Sequence, residues 1–469
     1  MVVGELNTEA DLLVIGGGPG GYTAALRAAQ LGRTVTLVER DAIGGVCLNV
    51  GCIPSKALIE LSARRHDLAA LAERGVVTTG VTLDFSLINT SVHNAVQRLT
   101  GGVQQLLRAA DVDVVSGDAT FAGEHEVRVQ GEGGTGHIRF RDCIVATGSV
   151  PRDLPGVTVD HSRILDSTDL LFLSHLPESL VVIGGGYIGI ELGTAYARLG
   201  SRVTIVEALP RLLAGAEPEI ERTLARSFKS LGVEVVTSAA ISGVEIVGDH
   251  VEVALRDSDS AISAELAAVA VGRVAKIDEG FQVAGIKLDP SGRVFVDQQM
   301  RTTNPHIYAI GDIAPGPMLA HKAYYEAKVA AEAASGQPSA NDAVAIPAVV
   351  FSSPEVAMAG LSAEEAAKVY GEIVESRFPY RANGRAVAIA EPDGEVKIVS
   401  EKSSGRIVGV HIVGADASNL IGEGVLAIEL GATLEDVALT IHPHPTLTEM
   451  FAESAEVGLG RPTHLVVKR

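Results

Sequence analysis

The sequence is poor in cysteine and in positive charge. Only 3 of its 469 residues are cysteine, which is too few for a framework of stabilising disulfides, and a reducing compartment would disfavour an ordinary structural disulfide. The 38 Lys and Arg residues are outnumbered by 58 Asp and Glu residues, so the net charge is −20. This deficit argues against a nucleic-acid partner, because phosphate backbones are bound by clustered Lys and Arg.

Long uninterrupted apolar runs are also scarce. The runs near residues 11–26 and 179–190 are broken by glycines and soon reach Arg27 and Glu191, so neither is suited to cross a bilayer. The N-terminal segment has no basic region followed by an apolar stretch, so we expect no signal peptide. The sequence therefore predicts a cytoplasmic enzyme without a membrane span, with about three or four domains.

One segment occurs twice. The sequence DLLVIGGGPGGYTAALRAAQLGRTVTLVE at 11–39 is echoed by SLVVIGGGYIGIELGTAYARLGSRVTIVE at 179–207. Each copy reads as an apolar strand, a glycine turn, a helix and a second strand that ends in Glu. This order is the dinucleotide-binding βαβ fingerprint. The corresponding positions are Gly16, Gly18, Gly21 and Glu39 in the first copy and Gly184, Gly186, Gly189 and Glu207 in the second.

The residue types in the repeat fit dinucleotide binding. The first glycine permits a tight turn, the second lets the backbone approach a pyrophosphate, and the third lets the helix pack close to the strand. The N-terminus of the helix offers unpaired N–H groups to the anion. A terminal glutamate can accept hydrogen bonds from ribose hydroxyls, and at Glu207 it would repel a 2′-phosphate, which favours NAD. We expect one tightly held redox cofactor and one diffusing dinucleotide.

Two of the three cysteines lie five residues apart, in GGVCLNVGCIPSK at 44–56. Residues at that spacing on a regular α-helix have Cα atoms about 8–9 Å apart, whereas a disulfide needs less than about 7 Å. A bond between Cys47 and Cys52 therefore requires a break in the helix, which Gly51 and Pro54 make feasible. Two unrelated buried thiols remain the alternative. Zinc is disfavoured because no second ligand pair is present, so we expect no metal.

Three further residues stand near these motifs. Lys56 follows Cys52 by four residues, which places both on one face if a helix begins near Pro54, and a nearby cation favours a thiolate; a solvated surface lysine is the alternative. Glu191 would repel a pyrophosphate at its helix N-terminus unless it is turned aside or paired, or it simply stabilises the helix dipole. Cys143, in the β-like run FRDCIVATG, is expected to lie in the core.

The stretch HPHPTLTE at 442–449 offers an acid–base pair. Histidine titrates near neutrality and can take a proton from a thiol, and a carboxylate partner would fix its tautomer. We favour His444 with Glu449 for this role. An ordinary surface loop is the alternative, and it is the main interpretation for His442.

Taken together with ATGS at 146–149, IYAIGDI at 307–313 and MLAHKA at 318–323, these motifs span nearly the whole chain. The sequence resembles the FAD-dependent pyridine nucleotide disulfide oxidoreductases. The resemblance implies an α/β protein with two Rossmann-like dinucleotide-binding domains, for FAD and NAD, and a C-terminal α+β dimerisation domain. The expected limits are 1–149 and 278–345 for the two parts of the FAD domain, 150–277 for the NAD domain and 346–469 for the interface domain.

The resemblance also implies the cofactor contacts. FAD is expected at Gly16, Gly18, Gly21, Glu39, Lys56, Gly117, Thr147, Gly148, Asp312 and Ala320. NAD is expected at Gly184, Gly186, Gly189, Glu207 and Gly272. Lys56 and Glu191 match an ion pair that the family places beside the flavin ring. One departure is VAVGRVAKID at 269–278, where relatives carry a Pro-Asn pair after GR, and it loosens the placement of the NAD-side loop.

The activity implied by the resemblance is the oxidation of dihydrolipoamide on a lipoylated carrier protein, with NAD⁺ as acceptor. The carrier would belong to a 2-oxo acid dehydrogenase, a glycine cleavage system or another lipoyl pathway. Cys47 and Cys52 would form the redox-active disulfide, and the last domain of a homodimer would deliver His444 and Glu449 into the partner subunit's active site. A flavin NADH oxidase or diaphorase and a non-catalytic flavoprotein are the rival interpretations.

Overall fold

The computed structural model describes residues 6–77, 79–132, 134–256 and 260–466. The first part of the chain builds most of a seven-stranded sheet. Its elements are β1 (Leu6–Ile15), α1 (Pro19–Gln30), β2 (Val35–Glu39), α2 (Gly45–Val50), α3 (Cys52–Glu73), α4 (Phe85–Ala109), β3 (Asp113–Ser116), β4 (Asp118–Gly123), β5 (Glu126–Gly131), β6 (Gly134–Val145) and β7 (Ser149–Pro151). The strand order is β3-β2-β1-β6-β5-β4, and β1 pairs in parallel with β2 and β6.

The second part of the chain repeats this plan. Its elements are β8 (Ile164–Asp166), a 3-10 turn (Asp169–Phe172), β9 (Ser179–Ile183), α5 (Tyr187–Leu199), β10 (Arg202–Val206), α6 (Pro218–Leu231), β11 (Glu234–Val236), β12 (Ile241–Val247), β13 (His250–Leu255), β14 (Ala261–Ala264) and β15 (Leu266–Val269). A parallel sheet has the order β11-β10-β9-β15-β8, and β12, β13 and β14 form an antiparallel sheet. The apolar strand β9 is covered on both faces, as expected for a parallel sheet.

The chain then returns to the first sheet. The elements of this part are β16 (Arg273–Ala275), α7 (Gly280–Val283), β17 (Ile307–Ala309), a 3-10 turn (Gly311–Ile313) and α8 (Ala320–Ala334). β16 pairs with β7, so the outgoing and returning segments lie side by side. β17 joins the first sheet by parallel pairing with β6. This crossing lies next to the expected limits of the NAD domain, 150–277, which remain a prediction.

The last part forms an antiparallel sheet covered by helices. Its elements are β18 (Ala348–Val350), β19 (Glu355–Gly360), α9 (Ala363–Tyr370), β20 (Ile373–Pro379), a 3-10 turn (Tyr380–Ala382), α10 (Gly384–Ile389), β21 (Glu395–Glu401), β22 (Ile407–Gly414), α11 (Ala417–Glu429), α12 (Leu434–Leu439) and α13 (Glu449–Gly458). The strand order is β18-β19-β22-β21-β20. The central strand β22 is buried along its whole length.

A shared apolar core joins the first, second and last parts of the chain. It contains Leu58 of α3, Ile190 and Leu192 of α5, and Val350 and Val356 from the last part. Burial of large aliphatic side chains stabilises such a junction by about 1.5–3 kcal/mol each. The core therefore holds α3, α5 and the end of β18 against one another.

The stretch Gly45–Leu68 has the length and mean hydropathy, 1.3, of a membrane span. It combines α2 with most of α3, and α3 packs against α4 and α5. Lys56 in this stretch is held in an ion pair with Glu191 of α5. These contacts give the stretch a place inside the protein fold, so its composition is weak evidence for a membrane span.

Candidate active site

The glycine turn between β1 and α1 leaves one position open. A Cβ on Gly16 would lie 2.4 Å from the Ala146 carbonyl oxygen, and one on Gly21 would lie 1.7 Å from the Gly16 carbonyl oxygen. Side chains are therefore excluded at both positions. A Cβ on Gly18 would meet only Gly45 Cα, at 3.8 Å. Because Gly18 stands at the N-terminus of α1, its open side can receive a pyrophosphate.

The turn between β9 and α5 has the same design. A Cβ on Gly184 would lie 2.5 Å from the Ala270 carbonyl oxygen, and one on Gly189 would lie 2.0 Å from the Gly184 carbonyl oxygen. A Cβ on Gly186 would have no neighbour within 4 Å among the described atoms. The second turn therefore also presents open backbone at the start of its helix.

Both strand-end glutamates are held in place by their own turns. Each carboxylate accepts the N–H of the middle glycine of its turn on one oxygen and the N–H two residues after itself on the other, and each oxygen keeps a lone pair that can accept from a ribose hydroxyl. The bonds are Gly17 N to Glu39 Oε2 (2.5 Å), Asp41 N to Glu39 Oε1 (2.8 Å), Gly185 N to Glu207 Oε2 (2.7 Å) and Leu209 N to Glu207 Oε1 (2.7 Å).

A cavity of about 480 Å³ extends from the first glycine turn to the two cysteines. It is lined by most of the positions expected to contact FAD, namely Gly16, Gly18, Glu39, Lys56, Thr147, Gly148, Asp312 and Ala320. The two other expected positions are not among its lining residues. Gly21 packs against Gly16, and the Gly117 N–H donates to the Glu39 carbonyl at 2.9 Å. A pyrophosphate cradle, a ribose acceptor and a thiol pair along one cleft fit FAD.

The residues expected to bind NAD lie outside the lining of this cavity. Gly184, Gly186, Gly189 and Glu207 belong to the second βαβ unit, and Gly272 precedes β16. Tyr187, at the start of α5, does line the cavity. The second dinucleotide turn therefore opens next to the cavity through the first residues of α5.

Cys47 and Cys52 lie on different helices. Cys47 is in α2, Cys52 is the first residue of α3, and Gly51 between them has φ −145° and ψ −107°, which interrupts the helix. A Cβ on Gly51 would lie 2.9 Å from the Val46 carbonyl oxygen. The expected break is thus present. The helix begins at Cys52, two residues before the expected Pro54, and the thiols of Cys47 and Cys52 are close enough to shift each other's pKa.

The two thiols differ in acidity. The neighbouring Cys47 thiol, assisted by the Lys56 ammonium, lowers the pKa of Cys52 to about 7 against the opposing effect of burial. The neighbouring Cys52, together with burial, raises the pKa of Cys47. Cys52 also stands at a helix N-terminus, where a thiolate is stabilised. Cys52 is therefore the thiolate of the pair, whereas Cys143 is fully buried in β6, as expected.

Lys56 and Glu191 form an ion pair in the wall of the cavity. Lys56 Nζ lies 2.7 Å from Glu191 Oε2, and the Glu191 side chain is only 5% exposed. The N–H of Phe351 donates to Glu191 Oε1 at 3.0 Å, and Lys56 Nζ lies 4.7 Å from the centre of the Phe351 ring. Glu191 is therefore paired, which removes its repulsion of an anion at the start of α5. Lys56, Glu191 and Phe351 therefore connect the first, second and last parts of the chain.

His444 and Glu449 form the expected hydrogen bond, with His444 Nδ1 2.8 Å from Glu449 Oε1. Burial raises the pKa of Glu449, but the Thr446 N–H and His444 outweigh it and hold the pKa below its usual value. The His444 side chain is 79% exposed and does not line the cavity. The described part of one chain therefore does not bring this pair to the cysteines. His442 instead bonds to Glu423 within its own domain.

The sequence motifs did not indicate a role for two residues near the expected flavin position, Ser149 and Arg273. Ser149 Oγ donates to Asp312 Oδ2 at 2.5 Å, and Arg273 Nε donates to Ser149 Oγ at 2.7 Å. Arg273 also lines the cavity. Both residues stand in motifs, ATGS and VGR, but they are 124 positions apart, so spacing carries no signal of their contact.

One group of side chains could be read as a metal site. Single ligand atoms of His161, Asp166 and Asp169 lie within 4.8 Å of one another. The Asp166 carboxylate accepts the N–H groups of Thr168 and Asp169, and the Asp169 carboxylate accepts His161 Nδ1 and the Asp166 N–H. The hydrogen bonds of a turn account for this arrangement.

Fold and site define a class. The structure combines two dinucleotide-binding βαβ units with a pair of thiols in the wall of a cavity. This combination is typical of a disulfide oxidoreductase that uses two nucleotides. The family model described as pyridine nucleotide-disulphide oxidoreductase matches residues 10–327, and that for the dimerisation domain of the same family matches residues 346–455. The chain therefore belongs to the pyridine nucleotide-disulphide oxidoreductases.

Similar proteins match over the full length. A protein of Geobacillus stearothermophilus named dihydrolipoyl dehydrogenase is 50% identical over 471 residues, covering 100% of both chains. A protein of the same name from Bacillus subtilis is 47% identical, covering 99% of this chain and 100% of the relative. The crystal structure of LpdA from Mycobacterium tuberculosis has a TM-score of 0.89 at 28% identity, covering 96% of this chain and 99% of that chain. The expected fold class is confirmed.

Proposed function

We propose that the protein is a dihydrolipoyl dehydrogenase, which oxidises dihydrolipoamide to lipoamide and reduces NAD⁺ to NADH. The observation that carries this proposal is that Cys47 and Cys52, on either side of a helix break, both line the cavity that fits FAD. Relatives of that name, 50% and 47% identical to the chain, support the choice of a dithiol substrate.

In the proposed reaction the substrate thiol is activated by His444. The carboxylate of Glu449 accepts the Nδ1 proton of His444, which leaves Nε2 free to take a proton from one thiol of dihydrolipoamide. The resulting thiolate attacks Cys47 in the Cys47–Cys52 disulfide. A mixed disulfide forms and Cys52 leaves as a thiolate. The second substrate thiol then breaks the mixed disulfide, which releases lipoamide and leaves Cys47 reduced.

The surroundings of Cys52 suit it to be the leaving group. A thiol with a lower pKa leaves faster, and Cys47, Lys56 and the N-terminus of α3 all favour the thiolate. Glu191 holds the Lys56 ammonium at 2.7 Å and fixes its distance from the thiolate. We assign catalytic roles to Cys47, Cys52, His444 and Glu449, and we place Lys56 and Glu191 beside them at the flavin.

When bound, FAD supplies the two-electron chemistry that links the reduced cysteine pair to NAD⁺. The residues proposed to hold FAD are Gly16, Gly18, Gly21, Glu39, Lys56, Gly117, Thr147, Gly148, Asp312 and Ala320. Those proposed to hold NAD are Gly184, Gly186, Gly189, Glu207 and Gly272. The carboxylate of Glu207 favours NAD over a cofactor with a 2′-phosphate.

The proposed enzyme is a homodimer in which each active site uses His444 of the partner subunit. The match of residues 346–455 to a dimerisation domain supports the dimer, and the exposure of His444 away from the cavity supports its use in trans. We propose lipoylated carrier proteins as the substrates and the cytoplasm as the location. The domain limits 1–149, 150–277, 278–345 and 346–469 belong to the same proposal.

Turnover by cysteine variants tests this function. Cys47→Ser and Cys52→Ser are expected to abolish NADH formation from dihydrolipoamide while FAD stays bound, because each variant lacks the exchangeable disulfide. Cys143→Ser is the matched control, since Cys143 is buried in β6, and it should retain turnover. Turnover that persists in either active-site variant would exclude a disulfide relay through Cys47 and Cys52, whereas a wild-type enzyme that oxidises NADH but forms none from dihydrolipoamide would favour a flavin NADH oxidase or diaphorase.

A further inference from the structure

The 3-10 turn Gly311–Ile313 carries Asp312 into the wall of the cavity. Directly behind this turn, α8 holds a lysine and a glutamate that the proposed chemistry does not use. Lys322 and Glu326 are 4% and 1% exposed, and Lys322 Nζ lies 2.8 Å from Glu326 Oε1. Neither lines the cavity. Charged residues are rarely buried to this degree, so the pair calls for an explanation.

The two side chains hold both polar backbone atoms of one residue. Glu326 Oε2 accepts the N–H of Gly311 at 2.8 Å, and Lys322 Nζ donates to the Gly311 carbonyl oxygen at 3.0 Å. Gly311 has φ +75°, a left-handed conformation that needs glycine and external partners to persist. The ion pair therefore acts as a clamp on the residue that precedes Asp312.

The rest of the turn is anchored separately. Arg293 Nη1 donates to the carbonyl oxygens of Asp312 and Ala314, and the Ile310 N–H donates to the Val145 carbonyl at the end of β6. The Gly311 carbonyl also accepts the Ala314 N–H at 3.1 Å within the turn, and Lys322 and Glu326 add side-chain contacts to Gly311 from outside the turn. The backbone at Gly311 sets the position from which the Asp312 side chain leaves the turn, and Ser149 Oγ holds the end of that side chain by donating to Asp312 Oδ2.

Stability alone is a poor reason for a buried ion pair. The cost of removing two charges from water often exceeds their attraction, and apolar residues of similar volume can replace such a pair without loss of stability. Burial raises the pKa of Glu326, and Lys322 and the Gly311 N–H act in the opposite direction. The position of the pair against one backbone residue gives it a specific task.

We propose that Lys322 and Glu326 are positioning residues that fix the Gly311 peptide and so aim Asp312 at the bound flavin cofactor. This inference rests on the proposed function only in that the cavity holds FAD. It assigns the Lys-x-x-x-Glu pair of α8 to cofactor retention and gives it no part in the thiol chemistry. Its failure therefore leaves the reaction with dihydrolipoamide untouched.

Two double variants of the FAD-loaded enzyme separate positioning from packing. Lys322→Met with Glu326→Leu removes both side-chain partners of Gly311, whereas Lys322→Met with Glu326→Gln keeps an acceptor for the Gly311 N–H and also lacks the ion pair. We expect FAD release after dilution, followed by flavin fluorescence, to be about tenfold faster in the Leu variant because two hydrogen bonds are lost. The Gln variant should fall between it and the wild type.

Lys328→Met is the matched control, because Lys328 is exposed on the same helix and should leave FAD release unchanged. The proposal would be overturned if both double variants released FAD at the wild-type rate. It would also be overturned if both released FAD faster but at the same rate, because a packing role does not distinguish Gln from Leu at the Gly311 N–H. If the Leu variant does not fold, the comparison of the Gln variant with the wild type decides, and an unchanged rate overturns the proposal. If the wild-type enzyme did not oxidise dihydrolipoamide but the FAD release rates followed the expected order, the proposed function would be refuted and the positioning role would stand.

Discussion

At the level of single residues, the acidity of Cys52 depends on opposing charges. The Cys47 thiol, the Lys56 ammonium and the N-terminus of α3 favour the thiolate, whereas burial and Glu191 disfavour it. The sum lowers the pKa of Cys52 to about 7, compared with about 8.5 for a free thiol. Near neutral pH, such a thiol is a good leaving group and still a competent nucleophile.

The pH dependence of thiolate absorbance tests this balance. In the reduced protein, the ultraviolet thiolate signal that Cys52→Ser removes is expected to appear as pH rises through about 7 and to disappear below it, because the thiolate exists above the pKa. Lys56→Met should move the midpoint to higher pH, since it removes a cation. Lys328→Met should leave the midpoint in place. A wild-type midpoint at the free-thiol value of about 8.5 would contradict the proposed environment of Cys52.

At the level of elements, the two βαβ units were predictable because everything that defines them is local. Strand, glycine turn, helix and terminal glutamate follow one another within 11–39 and 179–207, and the helix break at Gly51 follows from the same local reasoning. Contacts between distant segments were not predictable in this way. The bond from Arg273 to Ser149 and the contact of Phe351 with Lys56 depend on how sheets and helices pack, which residue spacing does not encode.

Two glycines of the second unit should respond differently to the same substitution. Gly186→Ala places a methyl group in open space, so the unfolding temperature should be unchanged while NADH binds about tenfold more weakly, because the methyl group occupies the pyrophosphate approach. Gly189→Ala drives a methyl group into the Gly184 carbonyl oxygen and should lower the unfolding temperature. Isothermal titration with NADH and calorimetry measure both effects. Wild-type NADH affinity in Gly186→Ala would exclude this turn as the pyrophosphate site.

At the level of the whole molecule, the first, second and last parts of the chain meet at one point. Lys56 of the first part, Glu191 of the second and Phe351 of the last lie in mutual contact beside the cavity. The His444–Glu449 pair is formed within one chain but is turned to solvent. The family resemblance supplied the expectation that this pair serves a partner subunit, and residue spacing alone could not have done so.

Hybrid dimers test whether the active site is shared. Cys52→Ser and His444→Gln subunits are each expected to form nearly inactive homodimers. After dissociation and random reassociation of equal amounts, about half of the dimers are hybrids, and each hybrid has one site with intact Cys52 and intact His444. The mixture should therefore regain about a quarter of wild-type activity. If the complete site lay within one chain, mixing would restore no activity, and the proposed use of His444 in trans would be wrong.

The central claim is that Cys47 and Cys52 exchange electrons with a dithiol on one side and NAD⁺ on the other. The measurement compares three samples: the oxidised enzyme, the enzyme reduced with dihydrolipoamide, and the reduced enzyme after addition of NAD⁺. Each sample is quenched in denaturant with an alkylating reagent and analysed by peptide mass spectrometry. We predict that Cys143 is labelled in every sample, whereas Cys47 and Cys52 are labelled only in the sample reduced with dihydrolipoamide. Equal labelling of Cys47 and Cys52 in all three samples would contradict the account.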